Sequence, residues 1–303
     1  MIPVSVTFLG TGGSVPNKFR NLPSVLIRRG PELLLFDCGE GTQRQFLQAK
    51  AGINRKMRIL ISHFHGDHVF GLPGMLHSLS FMGRKRELEI VGPKGLAELI
   101  TSINRVVKFY ANFDLRIREV RPGQTIRDAD YRIRVSAGKH GIPCLAYALE
   151  EDPRPGRFDP KKAKKLGIPE GPLWKRLQSG RDVKVNGHRI HPKQVLGPSR
   201  RGVKITYAVD TRPCAQIVNL ARGSDLLIHD SCFDESAAAK ARDYGHSTAA
   251  EAARVAKKSK CRKLALFHIS AIYEDASPLL TQAKTIFRES ILPQDMVTVS
   301  VPV

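Results

Sequence analysis

Over the first 150 positions the apolar residues come in short runs, each closed by glycine or by polar residues. "VSVTFLG", "SVLIRRG", "ELLLFDCG" and "RILISH" have the length and texture of strands. Helical spacing of apolar positions marks residues 42–50, 72–80 and 95–108. "ELEIVGP", "FDLRIREV", "YRIRVSAGKH" and "CLAYALEE" predict further strands. Regular structure resumes beyond residue 202 with "VKITYAVD", "DLLIHDS" and "KLALFHIS", and with a helix near residues 247–257. Strands mixed with helices predict an α/β architecture. The 303 residues, 42% of them hydrophobic, are compatible with one large domain or two small ones and support a real core.

Residues 151–180, "EDPRPGRFDPKKAKKLGIPEGPLWKRLQSG", break this pattern. They are rich in Pro, Gly and Lys, with little strand or long-helix periodicity, and read as an inserted arm outside the core. Charge sharpens the picture. The chain carries a formal net charge of +21, which points to a polyanionic partner. Residues 153–204 hold fifteen basic and three acidic residues, a net +12 in about a sixth of the length. Clustering of that kind favours a binding surface over a generally basic exterior.

Composition also excludes some classes. No apolar stretch approaches the length of a membrane span, and "MIPVSVTFLGTGG" lacks the basic start of a signal peptide. Cys38, Cys144, Cys214, Cys232 and Cys261 are odd in number and widely spaced, which argues against a disulfide framework or a cysteine zinc site. Reduced, mostly buried thiols in a cytoplasmic protein are expected.

The candidate chemistry lies after "RILIS". His63, His65, Asp67 and His68 crowd into six residues around Gly66. Imidazoles and carboxylates are the ligands of zinc and related divalent ions. In a tight turn His63 and His65 can project together, while Gly66 is expected to reverse the backbone and send Asp67 and His68 to a second side. Two pairs on two sides suit two adjacent metals, and the helical HExxH pattern of single-metal proteases is absent. Two metals can together activate water and stabilise attacking and leaving oxygens, which serves hydrolysis of a phosphodiester, an ester or a lactam alike.

The run from His63 to His68 resembles the HxHxDH motif of the metallo-β-lactamase superfamily. That resemblance implies a four-layer αβ/βα sandwich over residues 1–303, with 151–180 as its inserted basic arm. It also implies further ligands at strand ends, and His140, Asp210 and His268 stand in such places. By the resemblance, His63, His65 and His140 hold one metal, Asp67, His68 and His268 the other, and Asp210 bridges them. Two zinc ions per subunit are expected, manganese being the alternative.

More of the chain resembles the ribonuclease Z family: "FLGTGGSVPNKFRNLPSVLI", "LLFDCGEGTQRQ", "YAVDTRP", "GHSTAAEAA" and "FHISAIY". "GIPEGPLWKRLQ", with Gly171 and Pro172, is similar to that family's tRNA-gripping segment. The family cuts the 3′ trailer from precursor tRNA, leaving a 3′-hydroxyl, by hydrolysis with a bridging hydroxide. The resemblance therefore implies precursor tRNA as substrate and His246 as proton donor to the leaving oxygen. It implies Asp67 as both ligand and orienter of the hydroxide. Thr211 and Ser270 are implied as phosphate contacts, and Arg154, Arg157, Lys161, Lys162, Lys164 and Lys165 as RNA-binding residues of the arm. A homodimer is implied as well, with the arm reaching the partner's site. One departure stands out: the arginine usual before the last tyrosine of the family is Ile272 here.

Rival readings make different demands. A hydrolase of small esters, thioesters or cyclic nucleotides has no use for a basic arm, and a non-catalytic RNA-binding protein has no use for a complete ligand set. A DNA nuclease fits the charge as well as an RNA nuclease does. A dinucleotide site fails, because Gly10, Gly12 and Val15 do not satisfy GxGxxG.

Overall fold

A computed structural model describes residues 2–302. The described chain divides into two compact units, one of residues 2–128, 132–150 and 203–302, the other of residues 129–131 and 151–202.

The first unit is built on two seven-stranded sheets. One runs, edge to edge, through Thr298–Val301, Val4–Gly10, Ser24–Arg29, Glu32–Phe36, Lys56–Leu60, Leu88–Gly92 and Leu115–Glu119. The other runs through Ser290–Ile291, Leu264–Phe267, Leu226–Asp230, Lys204–Ala208, Leu145–Glu151, Tyr131–Ala137 and Thr125–Arg127. Alternation along each strand sends side chains to two buried faces. Leu33, Leu35, Met57 and Ile59 pack outward with Leu72, Leu76 and Ile100 of the helices Gly71–Phe81 and Leu96–Val107. Ala208, Leu227, Leu264 and Leu266 pack outward with Ile217, Ala253 and Leu279 of the helices Ala215–Ala221, Ala249–Ser259 and Ser277–Ile286. The inner faces meet through aromatic rings: Phe36 lies 5.3 Å from Tyr207 and 6.1 Å from Tyr147, and Phe8 6.1 Å from Phe267. Helix, sheet, sheet, helix is the four-layer order expected. The helices expected at 42–50, 72–80 and 95–108 are Thr42–Gln48, Gly71–Phe81 and Leu96–Val107.

The parallel strands Glu32–Phe36 and Lys56–Leu60 of one sheet, and Lys204–Ala208, Leu226–Asp230 and Leu264–Phe267 of the other, each end in or beside polar residues. Side chains are best presented at such carboxyl ends, because the chain there leaves the sheet and its groups are free to converge.

The second unit is better ordered than its composition suggests. Asp159 caps the helix Pro160–Lys165 by accepting from Lys162 N, and Pro172–Gln178 and a hairpin of Val183–Val185 with His188–Ile190 follow. Sequence periodicity missed these because each helix is only six or seven residues long. Ala163, Ile168, Leu177, Val183, Ile190 and Val195 nonetheless form a small core with Phe158 and Trp174. Trp174 packs 5.1 Å from Phe158 and donates Nε1–H to Ile168 O at 3.0 Å. Residues 151–180 thus lie in a unit that continues to 202, and bridges Arg154–Arg200 and Phe158–Leu196 join its two ends.

Candidate metal centre

His63, His65, Asp67 and His68 follow the strand Lys56–Leu60, His140 follows Tyr131–Ala137, Asp210 follows Lys204–Ala208, and His268 follows Leu264–Phe267. The fold gathers all seven into one cage. Asp210 stands at its middle. Its Oδ2 lies 3.6 Å from His63 Nε2 and 3.7 Å from His140 Nε2, and its Oδ1 lies 3.1 Å from both His68 Nε2 and His268 Nε2. His140 Nε2 is 3.2 Å from His65 Nδ1 on the first side, and Asp67 Oδ2 is 3.2 Å from His268 Nε2 on the second. Within each of two sets, His63, His65, His140 and Asp210, and Asp67, His68 and His268, the ligand atoms lie within 4.8 Å of one another.

The turn differs from expectation at Gly66. It opens a single helical turn, Gly66–Val69, and is absent from the left-handed glycines. What Gly66 provides is space: a Cβ there would come 2.3 Å from Phe70 Cε2. The helical turn separates Asp67 and His68 from His63 and His65 without any backbone reversal.

Hydrogen bonds set the imidazole tautomers. Asp37 Oδ2 accepts from His68 Nδ1 at 2.7 Å, from Ser62 Oγ at 2.8 Å and from Tyr207 OH at 2.7 Å. Because Ser62 spends its proton on Asp37, its oxygen accepts from His63 Nδ1 at 2.9 Å. His140 Nδ1 donates to Gly245 O at 3.1 Å. As neutral tautomers these three rings would each turn an unprotonated Nε2 toward the cage, although Asp210 and Asp37 outweigh burial and raise the His68 imidazole well above its ordinary value. Burial lowers the His63 imidazole to about 2, aided by His68 and opposed by Asp210, so the ring stays neutral. Asp37, Asp210 and His268 all adopt left-handed backbone, with φ of 55°, 47° and 60°. Such conformations cost energy in residues other than glycine and collect at functional sites.

The donor set fits divalent cations on an independent observation. Two of the buried atoms without a hydrogen-bond partner are His63 Nε2 and Asp210 Oδ1, both facing the cage. A buried lone pair left unpaired is costly, and a cation removes that cost. His268 is held by a close backbone approach: Gly12–Gly13 pairs with Ile269–Ser270, and a Cβ on Gly13 would stand 2.4 Å from the His268 ring. Gly13→Ala is therefore expected to displace His268 and lower the divalent-metal content in elemental analysis, with the fold retained by circular dichroism.

His246 stands beside the cage, its ring stacked 5.1 Å from His268. Its Nδ1 donates to Asp230 Oδ2 at 2.8 Å, and Asp230 also accepts from Thr211 N at 3.0 Å and Ser247 N at 3.3 Å. Burial lowers the His246 imidazole, but Asp230, Asp210 and Asp67 outweigh it and raise it to about 9. The helix Ala249–Ser259 begins at a Thr248–Glu251 capping box and fixes this segment.

Thr211 lies under the cage and not in the open cleft. It is fully buried, accepts from Lys139 N at 2.8 Å and donates its hydroxyl proton to Arg212 O at 2.8 Å, leaving none for a phosphate. The first of these bonds ties it to the segment that carries His140. Ser270, half-buried, lines the cleft over the cage. Sequence reasoning also missed Asp37 and Asp230, although both end apolar strand runs, the signal that marked Asp210.

A cleft of about 700 Å³ opens over the cage, lined among others by His65, Asp67, His140, Asp210, His246 and Ser270. Over 298 residues the chain is 43% identical to ribonuclease Z of Methanosarcina acetivorans, covering 98% of both chains. The chain belongs to the ribonuclease Z family. A ribonuclease Z of Methanosarcina mazei is 42% identical, again across 98% of each chain. The crystal structure of human tRNase Z, short form, superposes with a TM-score of 0.71 at 26% identity, covering 99% of this chain and all of that one. A family profile described as anti-Pycsar protein Apyc1 matches residues 4–105, about a third of the chain. As a ribonuclease Z family member the chain is an endoribonuclease.

Proposed function

We propose that this chain removes the 3′ trailer of precursor tRNA, the activity that family membership supports, at the cage described above. His63, His65 and His140 would hold one divalent ion and Asp67, His68 and His268 a second, with Asp210 shared. The observation that carries this reading is Asp210, whose two oxygens face the two ligand sets separately. Zinc suits the His/Asp ligands, and manganese is the other candidate. Such a pair of ions, when bound, activates water and offsets charge on the attacking and leaving oxygens of a phosphodiester.

The chain's own residues supply the rest. His246, protonated through Asp230, donates a proton to the departing 3′ oxygen, so the tRNA keeps a 3′-hydroxyl. Asp67 orients the attacking water as well as serving as a ligand; Ser14 N, donating to its Oδ2 at 2.8 Å, holds that carboxylate in place. Ser270 offers its hydroxyl to the phosphate from the cleft wall.

Lys161, Lys162, Lys164 and Lys165 ride on one short exposed helix, with Arg154, Arg157 and the Gly171–Pro172 corner in the same unit. They would grip the tRNA through phosphates and shape, which suits substrates that differ in sequence. A homodimer, with the arm serving a partner's site, follows the resemblance. Five free cysteines suit the reducing cytoplasm. Among the described residues no helix is long and apolar enough to cross a membrane.

The arm and the cage are separable by experiment. Reversing Lys161, Lys162, Lys164 and Lys165 to Glu is expected to raise KM for precursor tRNA by about 10- to 100-fold and to flatten its salt dependence. Hydrolysis of bis-p-nitrophenyl phosphate should not change. An unaltered KM for precursor tRNA would remove the arm from substrate binding.

A further inference from the structure

We propose that two exposed rings in the cleft, Phe70 and Tyr244, stack on the nucleobases flanking the scissile phosphate, and that Lys240 holds the phosphate on the Tyr244 side. The inference rests on the function proposed above and adds the positioning residues that function requires.

Large apolar side chains exposed singly need no explanation. These two do, because both line the cleft that contains the cage while Phe70 remains 70% and Tyr244 61% exposed. The Phe70 ring lies against Gly66, inside the His65–Asp67 turn, where even a methyl group would meet its edge at 2.3 Å. Backbone thus backs one side of this ring while most of its surface stays in water. Tyr244 sits two residues before His246, with the Lys240 ammonium 5.9 Å from its centroid and 5.4 Å from that of Phe233. Lys240 also lines the cleft and makes no ion pair among the described residues, so two aromatic faces orient a cation that lacks an anion. Rings and a free ammonium beside a phosphodiester site match a single-stranded polynucleotide. Every base has a π-face, so stacking holds a strand without selecting its sequence.

Polarity follows from the proton donor. His246 protonates the oxygen that stays on the tRNA, so nearby Tyr244 takes the base 5′ of the cut and Phe70 takes the first base of the trailer. Ile272, 60% exposed, makes no cationic contribution where the family usually has arginine. That leaves Lys240 as the cation on the Tyr244 side of the cleft.

The test uses full-length protein and precursor tRNAs with one abasic nucleotide immediately 5′ or 3′ of the cut. On intact substrate, Phe70→Ala and Tyr244→Ala should each lose roughly 5- to 150-fold in kcat/KM, the range for one stacked base. Phe70→Ala should lose nothing more when the first trailer base is missing, nor Tyr244→Ala when the base 5′ of the cut is missing. Crossed combinations should multiply. Phe70→Trp and Tyr244→Trp should retain activity, and Lys240→Gln should lower the salt slope by about one. Coupling of either ring to the other base, or to neither, overturns the inference even though the wild type still cuts. Failure of metal-loaded wild type to cut intact precursor tRNA instead removes the underlying function, and this inference with it.

Discussion

Replacing Asp210 with alanine should abolish cleavage and weaken metal binding together. One carboxylate faces His63 and His140 through Oδ2 and His68 and His268 through Oδ1. Its loss would leave both proposed ligand sets incomplete and take away negative charge that two cations there would need. A loss in kcat of roughly 10³-fold or more is expected, since the shared clamp contributes several kcal/mol to two-metal hydrolysis. Elemental analysis should show fewer than two ions per chain. Asp37→Asn, which weakens the support of His68 and Ser62, should act more mildly, with about 10- to 100-fold weaker metal affinity. An Asp210→Ala protein that retained two ions and full activity would exclude the bridging role.

Asp230→Asn should separate proton donation from metal binding. Asp230 belongs to neither of the two ligand sets, although its carboxylate lies within 4.8 Å of ligand atoms of Asp210 and His268; it accepts from His246 Nδ1 and from the amides of Thr211 and Ser247. The amide cannot hold the imidazolium, so the ring loses the strongest of the groups that raise it, and burial pulls it down. The expected result is a kcat lower by about 10²- to 10⁴-fold, the usual range for a general acid, with two ions still bound. Direction follows from the charge: the wild-type ring, held near 9, stays protonated as pH rises through neutrality, whereas the variant should regain activity only toward acid. A variant with unchanged kcat across pH 6–9 would show that His246 does not act through Asp230.

Much of this site was legible because its side chains announce themselves. His63, His65, Asp67 and His68 crowd into one turn, and Asp210 and His268 each close an apolar run. The same rule applied to "LLLFD" and "LLIHD" yields Asp37 and Asp230, but a lone aspartate after a strand is also an ordinary turn former, and only the fold shows which imidazole it meets. Thr211 shows the converse. A hydroxyl beside a ligand looks available in sequence, yet its proton is already committed to Arg212 O. Gly66 was right as a place for glycine but wrong in its reason, since the constraint is the Phe70 ring and not its own φ. The residue 151–202 unit escaped periodicity because helices of six and seven residues expose too few turns to show a repeat.

The central claim is that the seven-residue cage, loaded with divalent metal, cuts precursor tRNA at the 3′ end of its mature body. The most direct measurement strips the protein with chelator, returns Zn²⁺ or Mn²⁺, and maps the ends released from a 3′-extended precursor tRNA by wild type and Asp67→Ala. The account predicts no cut by stripped protein. With metal it predicts one cut beside the discriminator nucleotide, leaving a 3′-hydroxyl on the tRNA, absent in Asp67→Ala. Equal cleavage by stripped and reloaded protein, or turnover of a small phosphodiester with the precursor left intact, would contradict it.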